Sequence, residues 1–215
     1  MFLAAALAAT PAAVDPSRPW PTVHYGDQTQ LDGSFLLFRE EFLAAIARRD
    51  AAWVRARVPE DIKSTFGWPE GRESFENRWR LDAPDSPFWA EMHHLLHSGG
   101  RFAPGAKQFH FPGWHIAEPE GAGEDYTPYD YRAVAMLETP LYAQPSRDAP
   151  VLMRLYKVAV RVQVKPIVDG LHPVELRDGT RGWIPDDSLH RETGWRGEFT
   201  RTEQGWIITT LIAGD

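Results

Sequence analysis

Two Asp-Gly pairs constrain the second half of this chain more than any other feature of its sequence. Asp169-Gly170 and Asp178-Gly179 each separate short apolar runs, and the second pair lies within VELRDGTRGWIPDDSL. Glycine accepts the positive φ of tight hairpin turns, so Asp-Gly between apolar runs predicts a β-hairpin. We therefore expect the region after Tyr131 to form short antiparallel strands.

Five short strands are predicted in this region, and we expect them to close into a small barrel because closure removes exposed sheet edges. A separate C-terminal hairpin is predicted around Glu203-Gln204-Gly205 from Trp195–Arg201 and Trp206–Ile212. The predicted barrel strands are Arg132–Leu137, Val151–Leu155, Val158–Val168, Leu171–Leu176 and Thr180–Ile184.

The first half of the chain has helical periodicity instead. Ser34 is a candidate N-cap, and Phe35, Phe38 and Phe42 follow at helical spacing, which predicts a helix over 35–49. Residues 14–33 and 101–128 are rich in Gly and Pro, and are predicted to be an irregular lead-in and a long ordered loop. Further helices are predicted over 51–57, 72–81 and from Ser86-Pro87 to Gly99-Gly100, with a strand over 61–66.

The predicted fold class is therefore α+β, with a helical N-terminal part and a small sheet, a small β-barrel and a final hairpin. We predict four segments: residues 1–13 as a truncated signal segment, 14–128 as a mainly helical domain, 129–192 as the barrel, and 193–215 as the hairpin. The hairpin has an alternative role in completing the N-terminal domain.

Composition excludes several classes of site. The 215 residues contain no cysteine, so thiolate nucleophiles, cysteine-ligated zinc and iron–sulfur clusters are excluded. The net charge is −7 and the basic residues are scattered, which argues against nucleic acid as a partner. No apolar stretch approaches the ~20 residues of a membrane span.

The N-terminus has a short apolar run, Phe2 to Ala9, followed by small residues with Ala6-Leu7-Ala8 as a cleavage pattern. This arrangement is typical of the back half of a secretory signal and predicts a periplasmic or secreted protein. The alternative is a disordered alanine-rich tail.

The second half resembles a bacterial SH3-like domain over roughly residues 130–190. The matching motifs are Pro145-Ser146, Ala149-Pro150-Val151, Asp178-Gly179, Gly182-Trp183-Ile184 and Leu189. The resemblance implies a small barrel whose rim aromatics bind a peptide or a cell-wall fragment. The flanks, AAIARRDAAWV and EFTRTEQGWIITTLIAGD, are similar to exported bacterial proteins that carry such a domain.

The flanks are also weakly similar to the nuclear-transport-factor-2-like cone fold, in which two helices precede a first strand and a strand with a Gly-Trp pair finishes the sheet. This resemblance implies that the barrel is an insertion and that the last hairpin pairs with Asp61–Phe66. Cone folds enclose pockets, which keeps an enzyme or a small-molecule binder as an alternative.

Catalytic motifs are absent: the chain has no G-x-S-x-G, phosphate loop or dinucleotide-binding motif, so we predict no catalytic residue and no cofactor. His93 and His97 are four positions apart on a predicted helix and could share a metal ion, with His110 or His115 as a third ligand. A solvated helix face is the simpler interpretation.

The aromatic residues of the barrel carry the main functional hypothesis. Tyr142, Tyr156 and Trp183 are the candidate ligand-binding residues, with packing in the core as the alternative for all three and the favoured one for Trp183. We expect a non-enzymatic binding protein for a peptide, a protein partner or a peptidoglycan fragment. The alternatives are a pocket in the N-terminal domain lined by Phe66, Trp68, Trp79 and His93, or a purely structural role.

Overall fold

The computed structural model describes residues 20–67, 70–120, 122, 126–134, 138–163, 166–191 and 193–214. Its helices are α1 (Gly33–Arg48), α2 (Ala51–Arg55), α3 (Gly71–Trp79) and α4 (Phe88–His97). Its strands are β1 (Thr22–Tyr25), β2 (Arg101–Phe102), β3 (Gln108–Phe111), β4 (Trp114–Ala117), β5 (Tyr131–Val134), β6 (Thr139–Tyr142), β7 (Val151–Leu155), β8 (Ala159–Val162), β9 (Leu171–Glu175), β10 (Arg181–Pro185), β11 (Leu189–His190), β12 (Arg196–Thr202) and β13 (Gly205–Ile212).

The fold is α+β, as the sequence predicts, and the chain divides into two compact units. We call residues 24–115 and 193–214 the helical unit, and residues 20–23 and 116–191 the sheet unit, within the described ranges. The predicted segment 1–13 and Trp68 lie outside the described residues. The predicted segment boundaries at 129 and 193 stay predictions.

The first two helices of the helical unit each follow an aspartate that caps the helix. The Asp32 carboxylate accepts hydrogen bonds from the backbone N–H groups of Ser34 and Phe35 and so caps α1, two residues earlier than the predicted cap Ser34. Asp50 caps α2 in the same way through the Trp53 N–H. Arg49 ends α1 in the left-handed conformation, which is a common helix terminus.

The helical unit packs these helices against a sheet with the strand order β13-β12-β3-β2. The predicted C-terminal hairpin is β12 and β13, and β12 pairs antiparallel with β3, with Phe199 opposite Phe109. Lys63 forms a parallel bridge to Thr210 of β13. In place of the predicted strand over 61–66, the structure has this isolated bridge to the hairpin.

The core of the helical unit is dominated by aromatic rings. Phe35 is fully buried, and its ring centroid lies 4.0 Å from that of Phe109 and 4.9 Å from that of Trp206. Phe42, Phe88 and other buried aromatics of the helices extend the same cluster. Burying these rings is the main source of stability for the unit.

The sheet unit contains seven antiparallel strands in the order β11-β5-β8-β9-β10-β6-β7. Both predicted Asp-Gly turns form. Asp169 and Gly170 have φ of 49° and 70°, and Gly179 has φ of 80°. The core between the strands is aliphatic, and it includes Leu141, Val174 and Ile184.

Four expectations about the strands need correction. The strand order of the sheet unit is open, and no barrel was found among the described residues, because β7 pairs only with β6. The predicted loop over 101–128 contains β2, β3 and β4, and the predicted lead-in over 14–33 contains β1. The strand predicted from Val158 to Val168 is only Ala159–Val162 in the part that the structure describes.

Candidate functional site

Two of the three predicted binding aromatics are direct neighbours in the sheet unit. Tyr142 in β6 and Trp183 in β10 are Cα partners in an antiparallel pairing. Directly opposed residues project from the same face of a sheet with Cβ atoms about 5 Å apart. Both side chains are half-buried, so each keeps part of its surface open to solvent.

The pair belongs to a longer row that crosses four adjacent strands. Val151 of β7 is the register partner of Tyr142, and Pro173 of β9 is the register partner of Trp183. Val151 is exposed, the two aromatics are half-buried and Pro173 is buried. We call Val151, Tyr142, Trp183 and Pro173 the aromatic row.

The Gly-Trp-Ile motif explains how Trp183 reaches this face. Strand residues alternate between faces, and Ile184 is fully buried in the aliphatic core. A Cβ on Gly182 would lie 2.7 Å from both Leu141 Cγ and the Tyr142 carbonyl oxygen. Glycine therefore lets β10 approach β6 closely, which brings Trp183 beside Tyr142.

A charged pair borders the row. Arg181 lies two residues from Trp183 on the same face, and its Nε donates a 3.1 Å hydrogen bond to Glu175 Oε2. The Glu175 side chain is largely buried, whereas that of Arg181 is mostly exposed. The exposed guanidinium places hydrogen-bond donors beside the aromatic surface, where they could meet ligand carbonyl or carboxylate groups.

Tyr156, the third predicted aromatic, lies apart from this row. It follows β7 at the end opposite Val151, so roughly 16 Å of extended strand separates the two positions. Its side chain is 52 % exposed, and the Lys157 ammonium lies 5.1 Å from its ring centroid. Tyr156 therefore cannot share one small ligand with the Tyr142–Trp183 pair.

The predicted histidine pair lies on the exposed face of α4. The rings of His93 and His97 are 4.3 Å apart, and His97 Nδ1 is 2.7 Å from the His93 carbonyl oxygen. Partial burial, and then the proximity of His97, lower the pKa of His93. His110 lies 3.4 Å from a Glu198 oxygen and His115 stacks on His24. Among the described residues no group of three or more His, Asp or Glu is placed to hold a metal ion.

The residues proposed to line an enzyme pocket are dispersed. Trp79 is buried in the aromatic core, 5.5 Å from Phe88 between ring centroids. Phe66 is 47 % exposed and carries the Arg196 guanidinium over its ring. His93 lies on the solvent face of α4. None of these three lines either of the two cavities described next.

A cleft of about 520 Å³ in the helical unit was not predicted from the sequence. Its two arginines already have acidic partners. Arg57 Nη2 lies 3.7 Å from Glu41 Oε2, and Arg201 Nη1 lies 3.4 Å from Asp32 Oδ2. Cations that are neutralised in this way do not form the set of converging, perturbed groups typical of an active site.

A second cavity, of about 460 Å³, lies in the sheet unit beside β7. It is lined mainly by apolar side chains, among them Trp20, Met153, Leu155 and Val158. We call it the β7 groove. Sequence reasoning missed it, although the apolar run Val151-Leu152-Met153 was a usable signal because it does not alternate as a half-buried strand should.

Comparisons with protein-family models, with curated proteins and with solved structures found no match. Within the described part of the chain, every helix is too short or too polar to cross a bilayer.

Proposed function

We propose that the protein is a non-enzymatic, exported binding protein, periplasmic or secreted, and that its sheet unit is an SH3-like module. In this proposal the aromatic row engages a peptide, whether free, within a partner protein or within a cell-wall fragment. The observation that carries the proposal is the register pairing of Tyr142 with Trp183, which puts two part-exposed aromatic side chains side by side on one face.

The chemistry of the row suits a peptide ligand. Flat aromatic surfaces offer large contact areas at small entropic cost, and aromatics and arginine are the residues that dominate binding energies at interfaces. Arg181 supplies donors at the border of the row. The sequence similarity to bacterial SH3-like domains supports the same assignment, and the N-terminal apolar run supports export.

An enzymatic role has weaker support. The cleft in the helical unit has the volume of a small-molecule site, but Arg57 and Arg201 are paired with carboxylates. The His93–His97 pair offers two metal ligands, whereas a catalytic zinc site usually has three. A small-molecule or metal-dependent function in the helical unit is therefore the second candidate.

The first experiment is a pull-down of the full-length protein on purified insoluble peptidoglycan. We expect wild type to be retained and Tyr142→Ala to lose about ten-fold or more in apparent affinity, since loss of a central aromatic anchor commonly costs about 2 kcal/mol. Tyr156→Ala is the matched control, because it removes the same side chain from the same unit outside the row. It should be retained like wild type.

Other outcomes reassign the ligand or the site. If Tyr142→Ala and Tyr156→Ala were both retained like wild type, wall binding would be supported, but the aromatic row would be rejected as the binding site. Absence of retention for wild type would reject the wall fragment, and a peptide array probed with the same three proteins would then test the free-peptide form. Zinc that co-purifies stoichiometrically and is lost in His93→Ala/His97→Ala would favour the metal-dependent alternative.

A further inference from the structure

Strand β7 ends the order of the seven-stranded sheet. It pairs on one side with β6, from Val151 opposite Tyr142 to Leu155 opposite Thr139. On its other side no described strand follows, so one row of its backbone N–H and C=O groups is not used by the sheet. A strand edge of this kind is a template for another extended chain, and natural proteins usually protect it with charges, prolines or covering elements.

The side chains of β7 do not protect this edge. Val151, Leu152 and Met153 are 45 %, 48 % and 37 % exposed, and Arg154 is the single charged residue of the strand. The register shifts between Leu141 and Tyr142, which leaves Leu152 without a partner residue on β6. Three adjacent exposed apolar side chains on an edge to which no described strand pairs are a typical feature of an interaction surface.

The β7 groove offers space for the side chains of a strand that pairs with the edge of β7. Met153 and Leu155 are opposite Leu141 and Thr139, which are buried, so these residues of β7 face the core side of the sheet. Beyond them the groove is lined by Trp20, Val158 and Leu176. A chain paired with β7 would direct alternate side chains into this apolar space, because strand side chains alternate with a period of two.

The charged residues around the β7 groove indicate which kind of peptide segment would bind there. Lys157, Arg177 and Asp178 line the groove, and Arg154 is exposed on the strand itself. This surface is basic although the whole chain has a net charge of −7. A second copy of β7 would bring the same basic residues together, and like charges across a strand pair are destabilising. An acidic partner would instead be attracted.

We infer that β7 and its groove bind an extended segment of another protein by strand addition, and that this segment alternates apolar residues with acidic ones. The apolar residues fill the groove beside Met153 and Val158, and the acidic residues lie on the opposite face of the added strand, beside Arg154. The site shares Val151 with the aromatic row, but it does not rest on the function proposed for Tyr142 and Trp183.

The test uses a display library of random peptides about ten residues long, the upper length of a common strand, selected on immobilised full-length protein. We expect enrichment of peptides that alternate apolar and acidic residues. Met153→Glu should weaken an enriched peptide about ten-fold or more, because it places a carboxylate in the groove, and Arg154→Glu, on the face of the acidic residues, should weaken it less. Addition of the peptide should slow amide hydrogen exchange in residues 151–155.

Two controls separate this site from other surfaces. Ile167→Glu makes the same charge change at an exposed apolar position of the same unit outside the groove, and it should bind like wild type. Tyr142→Ala should also bind like wild type, which distinguishes failure of this inference from failure of the aromatic row.

Four results would overturn the inference. These are a lack of enrichment over a blank surface, enrichment of basic peptides, binding that Met153→Glu leaves unchanged, and binding without protection of the β7 amides. A wild-type dimer in sedimentation that Met153→Glu dissociates would also overturn it, since the occupant of the edge would then be a second copy.

Discussion

The two units use their apolar side chains in opposite ways. The helical unit buries its aromatic rings, with Phe35, Phe42 and Phe88 at the centre of one continuous cluster. The sheet unit builds its main core from aliphatic residues such as Leu141 and Ile184. Its aromatics lie at the margins, as a small separate cluster around Trp20 or as part-exposed side chains.

The exposed apolar surface follows the same division. Among the described residues of the helical unit, the large exposed apolar side chains are Leu31, Leu37 and Phe66, and no two of them are adjacent in sequence. In the sheet unit they concentrate on and after β7. A unit whose aromatic rings are buried is suited to be a scaffold. A unit with exposed apolar side chains is suited to bind a partner.

The largest effect is expected from Phe35→Ala. The Phe35 ring is fully buried and packs against Phe109 and Trp206. Its removal should lower the free energy of unfolding of the helical unit by about 3–5 kcal/mol, through lost burial and the cavity that remains. Denaturant titration followed by tryptophan fluorescence measures this loss.

Leu37→Ala is the control for that prediction, because Leu37 lies in the same helix and is 67 % exposed. It should change stability by less than about 0.5 kcal/mol. Similar losses for the two variants would mean that the aromatic cluster does not dominate the stability of the helical unit.

A smaller effect, of about 1–3 kcal/mol, is expected in the sheet unit from Gly182→Ala. The added Cβ would meet Leu141 Cγ and the Tyr142 carbonyl oxygen at 2.7 Å, so β10 and β6 must separate. The same shift would displace Trp183 from Tyr142. Thermal unfolding and the peptidoglycan pull-down should therefore both report a loss, whereas Gly33→Ala, with no atom within 4 Å of its added Cβ, should affect neither.

The parts of the fold that sequence reasoning predicted depend on local signals. The spacing of Phe35, Phe38 and Phe42 fixes a helix face wherever that helix packs, and α1 forms over Gly33–Arg48. The positive φ of Gly170 and Gly179 was predictable for the same reason, because a tight turn is decided by the residues within it.

The parts that sequence reasoning missed depend on distant partners. Phe109 and Phe111 alternate as in a strand, but Gly and Pro surround them, and the strand is completed by pairing with Phe199 and Gly197 about 90 residues later. The site shows the same limit. Tyr142, Tyr156 and Trp183 were each identifiable as candidates, yet only the register between β6 and β10 brings Tyr142 to Trp183 and leaves Tyr156 apart.

Polar groups should contribute less than the buried core to the free energy of unfolding of the helical unit. Asp32→Ala removes the N-cap of α1 and should cost about 1 kcal/mol. Hydrogen bonds from the Ser34 hydroxyl and then the Phe35 N–H lower the pKa of Asp32. Its contribution is therefore complete above the ordinary pKa of an aspartate and is lost as the pH falls through the lowered pKa of the folded state.

Denaturant titrations of wild type and Asp32→Ala at several pH values test this cap. The stability difference between the two proteins should be constant near neutral pH and should shrink as the carboxylate is protonated. A difference that does not change down to the acid limit of folding would show that the charge of Asp32 plays no part in the cap.

The smallest effect is expected from Arg55→Lys, which tests whether surface charge matters to the scaffold at all. Arg55 Nε lies 2.8 Å from Glu76 Oε1, and Arg55 Nη2 lies 2.7 Å from Asp82 Oδ2. A lysine cannot reproduce this forked geometry, and the change should cost about 0.5 kcal/mol because the groups are part-exposed. The cost should vanish at roughly 1 M salt, where charges are screened within about 3 Å.

Arg48→Lys, at an exposed pair 3.8 Å from Asp50, should cost nothing measurable. An Arg55→Lys loss as large as that of Phe35→Ala would mean that ion pairs, and not buried rings, stabilise the helical unit.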